Sequence, residues 1–329
     1  MPGSPAGRRA RRLPAVALLS LAAFGSAALA ENYPSRPVKL IVPFAPGGSS
    51  DILGRVFADK LGAELGQPIV VDNRAGGNTV IGTLAAANSK GDGYTLLQVT
   101  PNAAIVSNLQ PNLGYDLQRD FVPVIGVGSV PLLLVVPAKS NIRSIADLVA
   151  LAKSTPGGLS YASGGIGSLG HLAPAQFIHE LKVSGTHVPY KGVAPAIQDV
   201  VGNRIQLMFV SGLEGMQMVR AGAVRVLGVT SDQRMPTLPE TPTMAELGFA
   251  DFKPAVWYGF VVPAGTPADI ADRLYRAIAK ASADPVVRDK LGNLGVTVNV
   301  RNGLEFGKFM REENLRWARV VSENNIKME

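Results

Sequence analysis

Short apolar runs alternate with longer amphipathic stretches along most of the chain, the pattern of an α/β protein. VKLIVPF (38–44) reads as a strand. From Ser50 onward, Ile52, Leu53, Val56, Phe57, Leu61 and Leu65 recur at the spacing of one helix face, and Gly66-Gln67-Pro68 stops that helix. PIVVDN (68–73) is the next strand. Gly76-Gly77 then breaks the chain, Ile81 to Ala87 predicts a helix, and YTLLQVT (94–100) predicts a third strand. Two later segments repeat one plan: PLLLVVPAKSNIRSIADLVALA (131–152) and YGFVVPAGTPADIADRLYRAIA (258–279). Each gives an apolar strand, a polar turn and a helix containing Ile-Ala-Asp, which suggests one such unit per lobe. In the second, Thr266 is expected as N-cap, Pro267 as first helical residue and Asp269 as part of a capping-box-like spacing. Ile270, Leu274, Ile278 and Ala281 would form its buried face. Trp257 and Tyr258 read as core residues just ahead of a strand, and Trp317 falls in a polar C-terminal helix.

The first thirty residues follow a different pattern. Arg8, Arg9, Arg11 and Arg12 form a basic head, Leu13 to Leu29 is apolar, and Ala28-Leu29-Ala30 is a small-x-small site ahead of Glu31. That layout predicts a secretory signal peptide over 1–30, cleaved after Ala30 by the general export route. A membrane anchor is the weaker reading, because the apolar stretch carries Pro14 and a span needs about 20 apolar residues. The leader also explains much of the charge: the chain is +7, four of which are these arginines, leaving about +3. No basic run interleaved with aromatics remains, so a nucleic-acid partner is not expected. The absence of cysteine excludes disulfides, thiolate catalysis, cysteine metal sites and lipoprotein anchoring. These features predict a freely diffusing periplasmic protein.

Two glycine-rich segments precede predicted helices: Gly47-Gly48-Ser49-Ser50 and Gly165-Ile166-Gly167-Ser168. A helix N-terminus has unpaired amides and a partial positive charge, and glycine lets a ligand approach the backbone. Both segments are therefore candidate anion cradles. The second contains a literal G-x-G-x-x-G (Gly165, Gly167, Gly170), but a dinucleotide site needs an acid about 20 residues on. That region reads THVPYKG, without one, so no cofactor is implied. His171, His179 and His187 lack metal-ligand spacing, and no metal is expected. No G-x-S-x-G elbow or acid/base motif is present, which argues against an exported enzyme.

The residues also resemble a known family. YPSRPVKLIVPFAPGGSSDILGRVFADKLGAELGQPIVVDNRAGGNTVIGTLAAANSKGDGYTLL (33–97) is similar to the start of the Bug proteins, the periplasmic substrate-binding receptors of tripartite tricarboxylate transporters. The likeness continues through YDLQRDFVPVIGVGSVPLLLVV, YASGGIGSLGHLA, VPYKGVAPAIQDVVGNRI, RVLGVTSDQRMPTLPETPTMAELG and WYGFVVPAGTP. It implies a two-lobed α/β Venus flytrap of the type II periplasmic binding class, each lobe a mixed sheet flanked by helices. Lobe 1 would comprise 31–130 plus 255–329, and lobe 2 would comprise 131–254. A small organic acid would bind between the lobes, held by backbone amides and hydroxyls, and a monomeric receptor would deliver it to a membrane permease. Presentation to a membrane sensor is the alternative.

The resemblance assigns Phe44, Pro46, Gly47, Gly48 and Asp51 to the first-lobe loop, with Ala75, Gly76, Thr100 and Asn102 on the same side. Ser163, Gly165, Gly167, Ser168 and His171 would form the opposing cradle, flanked by Tyr190, Lys191 and Gly192. Arg74 stays open between ligand contact and structural donor. Val210 stands where many relatives carry an Asp, which implies a less polar pocket and a larger or partly apolar acid.

Overall fold

In the computed structural model, the described residues are 1, 3, 33–110 and 112–327. The signal peptide and cleavage site expected from the sequence therefore lie, Met1 and Gly3 apart, outside the described residues.

Among the described residues, ten strands and ten α-helices follow one another in the alternating order that the hydrophobic pattern suggests. Strands β1 (Val38–Val42), β2 (Ile69–Asn73) and β3 (Thr95–Val99) are parallel, in the order β2-β1-β3. Antiparallel β9 (Ala255–Pro263) runs beside β3, and β4 (Phe121–Pro137) runs beside β9. β10 (Thr297–Asn302) pairs with the first half of β4. The second half of β4 belongs to another sheet. There it pairs with antiparallel β7 (Leu207–Ser211) and β8 (Val224–Val229), while parallel β5 (Leu159–Ser163) and β6 (Gly185–Pro189) continue beyond β7. The crossover is sharp: Pro131 pairs with Ala255 of β9, and Leu132 pairs with Ser211 of β7.

Alternation along the strands separates the core layers. Val38, Leu40 and Val42 of β1 pack with Leu53, Phe57 and Leu61 of α1 (Ser49–Leu65), whereas Ile41 joins the layer on the other face. Gly54 lets α1 lie close on the sheet, since a Cβ there would stand 2.9 Å from Val42 Cγ2. Gly66, at φ +73°, ends α1 by donating its amide to Gly62 O. Ile52 departs from expectation: it is 40% exposed, because the buried stripe follows Leu53, Phe57 and Leu61 and Ile52 sits about 100° away.

The remaining helices cover the sheets. They are α2 (Val80–Ala87), α3 (Pro101–Leu109), α4 (Ile145–Ser154), α5 (Leu169–Glu180), α6 (Val193–Val201), α7 (Gly212–Arg220), α8 (Ala268–Ala283), α9 (Pro285–Asn293) and α10 (Gly303–Glu323). The two repeated units fall on β4–α4 and β9–α8, one in each sheet. The helix start of the second is one residue later than its sequence suggests. Thr266 spends its hydroxyl on Pro263 O, and Pro267, in extended backbone, is the N-cap of α8. Trp257 and Tyr258 lie inside β9, not before it, and both are buried. Helix α10 owes its buried Trp317 to Glu313, whose carboxylate accepts from both Trp257 Nε1 and Trp317 Nε1.

Candidate functional site

The C-terminal ends of β1, β2 and β3 meet at one edge of the first sheet, where open α/β sheets place their ligands. After β1 the chain passes through Phe44, Pro46 and Gly47, whose φ of +86° suits glycine, into Gly48, the N-cap of α1. No side chain caps this helix, so the first amides, at Ser49 and Ser50, lack an i−4 carbonyl and lie at its positive end.

Asp51 braces this loop from behind. Its carboxylate is 3% exposed and accepts from the Gly47 amide (2.8 Å), Arg55 Nε (3.0 Å) and Asn73 Nδ2 (2.9 Å). Asn73 Nδ2 also donates to Phe44 O, tying the loop to the end of β2. Burial pulls the Asp51 carboxyl upward, but the Arg55, Gly47 and Asn73 donors outweigh it, and its pKa lies below the ordinary value. Arg74 pairs with Asp72 at 2.9 Å, the structural role left open by the sequence.

Ala75 and Gly76 are exposed on the turn after β2. Gly76 (φ +125°) opens a 3-10 turn over Gly77–Thr79 that holds Asn78 and Thr79 in left-handed backbone. Such backbone in a β-branched residue is a genuine outlier of the kind that gathers at functional sites. Asn78 then does what no motif announced. Its Nδ2 donates to Gly167 O of the second loop at 2.6 Å, while its Oδ1 accepts from Asn102 Nδ2 at 2.8 Å. Thr100 is the N-cap of α3, 2% exposed, with an Oγ1 that has no partner among the described residues.

The second loop is braced by neutral groups. Ser163, fully buried at the end of β5, lies 3.0 Å from Gly165 O, accepts from the Gly165 amide and bonds His187 Nε2 at 2.7 Å. Ser168 is the N-cap of α5 and turns its hydroxyl back to Gly165 O at 2.7 Å. His171 Nδ1 accepts from the Gly167 amide, and its ring stacks on His187 with centroids 3.6 Å apart. Burial, reinforced by His187, pushes His171 down to about 3, and burial pushes His187 down to about 4. Both rings are therefore neutral at pH 7.

The flank divides in two. Gly192 (φ +111°) opens α6 and donates to Gly164 O, and the Tyr190 amide donates to Ser163 O, so both secure the loop. The Tyr190 hydroxyl instead donates to Asp199 at 2.6 Å, and Lys191 is exposed. At the sheet crossover, Ser211 caps α7 and its hydroxyl donates to Glu214. Glu214 reaches solvent, yet the surrounding protein desolvates it enough to raise its pKa, as a cleft wall does. Its charge is felt by Tyr258, whose hydroxyl lies beside Ser49 and Ser50.

Val210 does not line this region. It is 2% exposed and packs with Leu133, Ile197 and Met208 beneath α7, so the inference of a less polar pocket from that position fails. Sequence reading also missed Arg55, Asn73 and Asn78. The i,i+4 spacing of Asp51 and Arg55 was a usable signal, whereas the Asn78–Gly167 contact spans 89 residues and left none.

Two α/β lobes joined through β4 and β9, with the turn after β2 bonded to the glycine-rich loop of the other lobe, have the architecture of a periplasmic binding protein. Comparison gives the family: the profile of the tripartite tricarboxylate transporter family receptor matches residues 53–326. Protein BugT of Bordetella pertussis is 38% identical over 321 residues, covering 96% of this chain and 98% of the relative. The structure of R. palustris Rpa4515 with adipate is 34% identical at a TM-score of 0.80, covering 90% of this chain and 99% of that one. MatC of Rhodopseudomonas palustris with bound malate is 29% identical at 0.77, covering 88% and 100%. The chain belongs to the tripartite tricarboxylate transporter receptor family, alongside the Bug proteins.

Proposed function

We propose that this receptor captures a small organic acid between lobes formed by 31–130 plus 255–329 and by 131–254. The acid's carboxylate lies against the opening amides of α1 and α5, beside Gly47, Gly48 and the Gly165–Ser168 loop. The observation that carries this reading is the Asn78–Gly167 bond, which ties the turn after β2, at the same sheet edge as the start of α1, to the glycine-rich loop that opens α5. Relatives with adipate and malate support a carboxylate ligand. Asp51 and Ser163 hold the two loops in shape, while Phe44, Pro46, Thr100, Asn102 and Ser168 surround the space between them. The protein is exported, its leader is cleaved after Ala30, and the ligand-closed form docks on a membrane permease without catalysis. Ligand contacts made with both lobes at once are what favour closure.

Native mass spectrometry of the purified protein, followed by calorimetry with a carboxylate panel, tests the reading. A one-to-one complex with an organic acid is expected. Binding of neutral or cationic solutes alone would overturn it.

A further inference from the structure

A cavity of about 500 Å³ borders Ile166 of the Gly165–Ser168 loop, and no residue at the opening of α1 lines it. Its floor is second-lobe structure: α5 contributes His171 and Ile178, β6 contributes His187, and the connection between them contributes Val183. Its outer wall is the segment following α10, with Ile326 and Lys327. The size lies within the range of small-molecule sites.

Among the described residues that line it there is no Asp or Glu, and Lys327 supplies a cation. His171 adds a donor. It is only 6% exposed, and its Nδ1 is occupied as acceptor of the Gly167 amide. A neutral imidazole accepting at Nδ1 carries its proton on Nε2. That N–H has no partner among the described residues, and the ring lines the cavity. The Nε2–H is therefore available to an acceptor in the cavity. Tyr161, His179, Asn324 and Asn325 add further polar groups, while Ile178, Val183 and Ile326 form an apolar side.

We propose that this chamber is a second ligand site, taking a small organic anion with an apolar body, and that its occupancy favours lobe closure. The anion accepts from His171 Nε2 and faces Lys327, while its apolar body lies against Ile178, Val183 and Ile326. Closure follows from the walls. The tail leaves α10, which packs on α3 and Trp257 of the first lobe, and Arg316 of α10 reaches Gln176 of α5 at 3.3 Å. An anion touching both floor and tail stabilises the arrangement that brings them together. His171 also holds the Gly167 amide, so the site communicates directly with the cleft loop.

The test uses octanoate as probe and the Gly48→Trp protein, in which the first cradle is filled. Gly48 has ordinary negative φ and open surroundings, so the substitution leaves the backbone unstrained. Calorimetry should give one saturable equivalent of octanoate, and imidazole ¹⁵N spectra should show the His171 Nε2 resonance moving. Adding Val183→Trp, or ending the chain at Glu323, should weaken this binding at least tenfold, and octanol should not compete. Absence of saturable binding to Gly48→Trp overturns the proposal, as does binding unchanged by both added alterations. Equal binding of octanol overturns the anion assignment. Val183→Trp alone should leave carboxylate capture in the cleft unchanged, so failure of the cleft reading shows separately in the otherwise unaltered protein.

Discussion

The two glycine-rich loops serve as counterparts, yet they are held by opposite chemistry. The first rests on an ion-paired carboxylate: Asp51 gathers Gly47, Arg55 and Asn73. The second rests on a hydroxyl and two stacked neutral imidazoles, Ser163, His187 and His171. The difference bears on ligand charge. Asp51 places a negative group within the first turn of α1 and offsets part of its positive end, whereas α5 has no acid in its first turn. The second lobe therefore offers an anion the more favourable helix terminus, and the first lobe contributes shape and the Asn78 bridge.

The comparison breaks outright if the first loop is not part of the cleft. Gly48→Trp puts an indole over the opening amides of α1 and should abolish binding of the cleft ligand by calorimetry, with the thermal transition unchanged. Retained affinity would remove this loop from the site.

Acid separates the two braces next. An unfolded imidazole takes a proton near pH 6.5, whereas His171 and His187 resist protonation down to about 3 and about 4. Between these values the unfolded chain binds more protons, so stability falls as pH falls. From pH 7 to 5 the loss should be on the order of 2 kcal/mol per imidazole. Urea unfolding at the two pH values measures it, and His187→Gln should flatten the dependence. The Asp51 brace behaves differently. Its lowered carboxyl pKa keeps its contribution in place above the ordinary carboxylate range and loses it only as pH falls through the lowered folded value.

Smaller effects sharpen the contrast. Asp51→Ala leaves the buried donors around it unpaired and should cost about 1–3 kcal/mol of stability in urea unfolding at pH 7. Ligand binding should weaken through a loosened loop rather than a lost contact, so a loop-stabilised variant should recover it. Asn78→Ala removes one bond across the cleft, a net effect of about 1 kcal/mol. It should weaken ligand affinity by up to tenfold and leave the unliganded protein more open in small-angle X-ray scattering. An unchanged scattering profile would show that this bond does not control closure.

Much of the fold was legible because it is written locally. Apolar periodicity located β1, α1, β2, α2 and β3 to within a residue or two, and Gly66 marked the end of α1. Errors came where a local signal had two uses. Thr266 has a capping side chain, but its hydroxyl closes the turn onto Pro263 instead. Ile52 belongs to an apolar run but falls off the buried stripe. Val210 showed the same limit in the site: the strand's alternation sends its side chain into the core, so a polar partner missing there says nothing about the cleft.

The sequence by itself determined the alternating elements, the two glycine-opened helix starts and the family, because periodicity, turn residues and ordered motifs are properties of contiguous chain. Only the tertiary structure decided what stands behind and between those helix starts. Asp51 is satisfied by Asn73 from 22 residues away, Ser163 by His187 from 24, and Asn78 meets Gly167 across 89. Each pair is a hydrogen bond between groups with no fixed sequence offset. The first two exist only once β1 has paired with β2 and β5 with β6, and the third only once β4 has joined the two sheets.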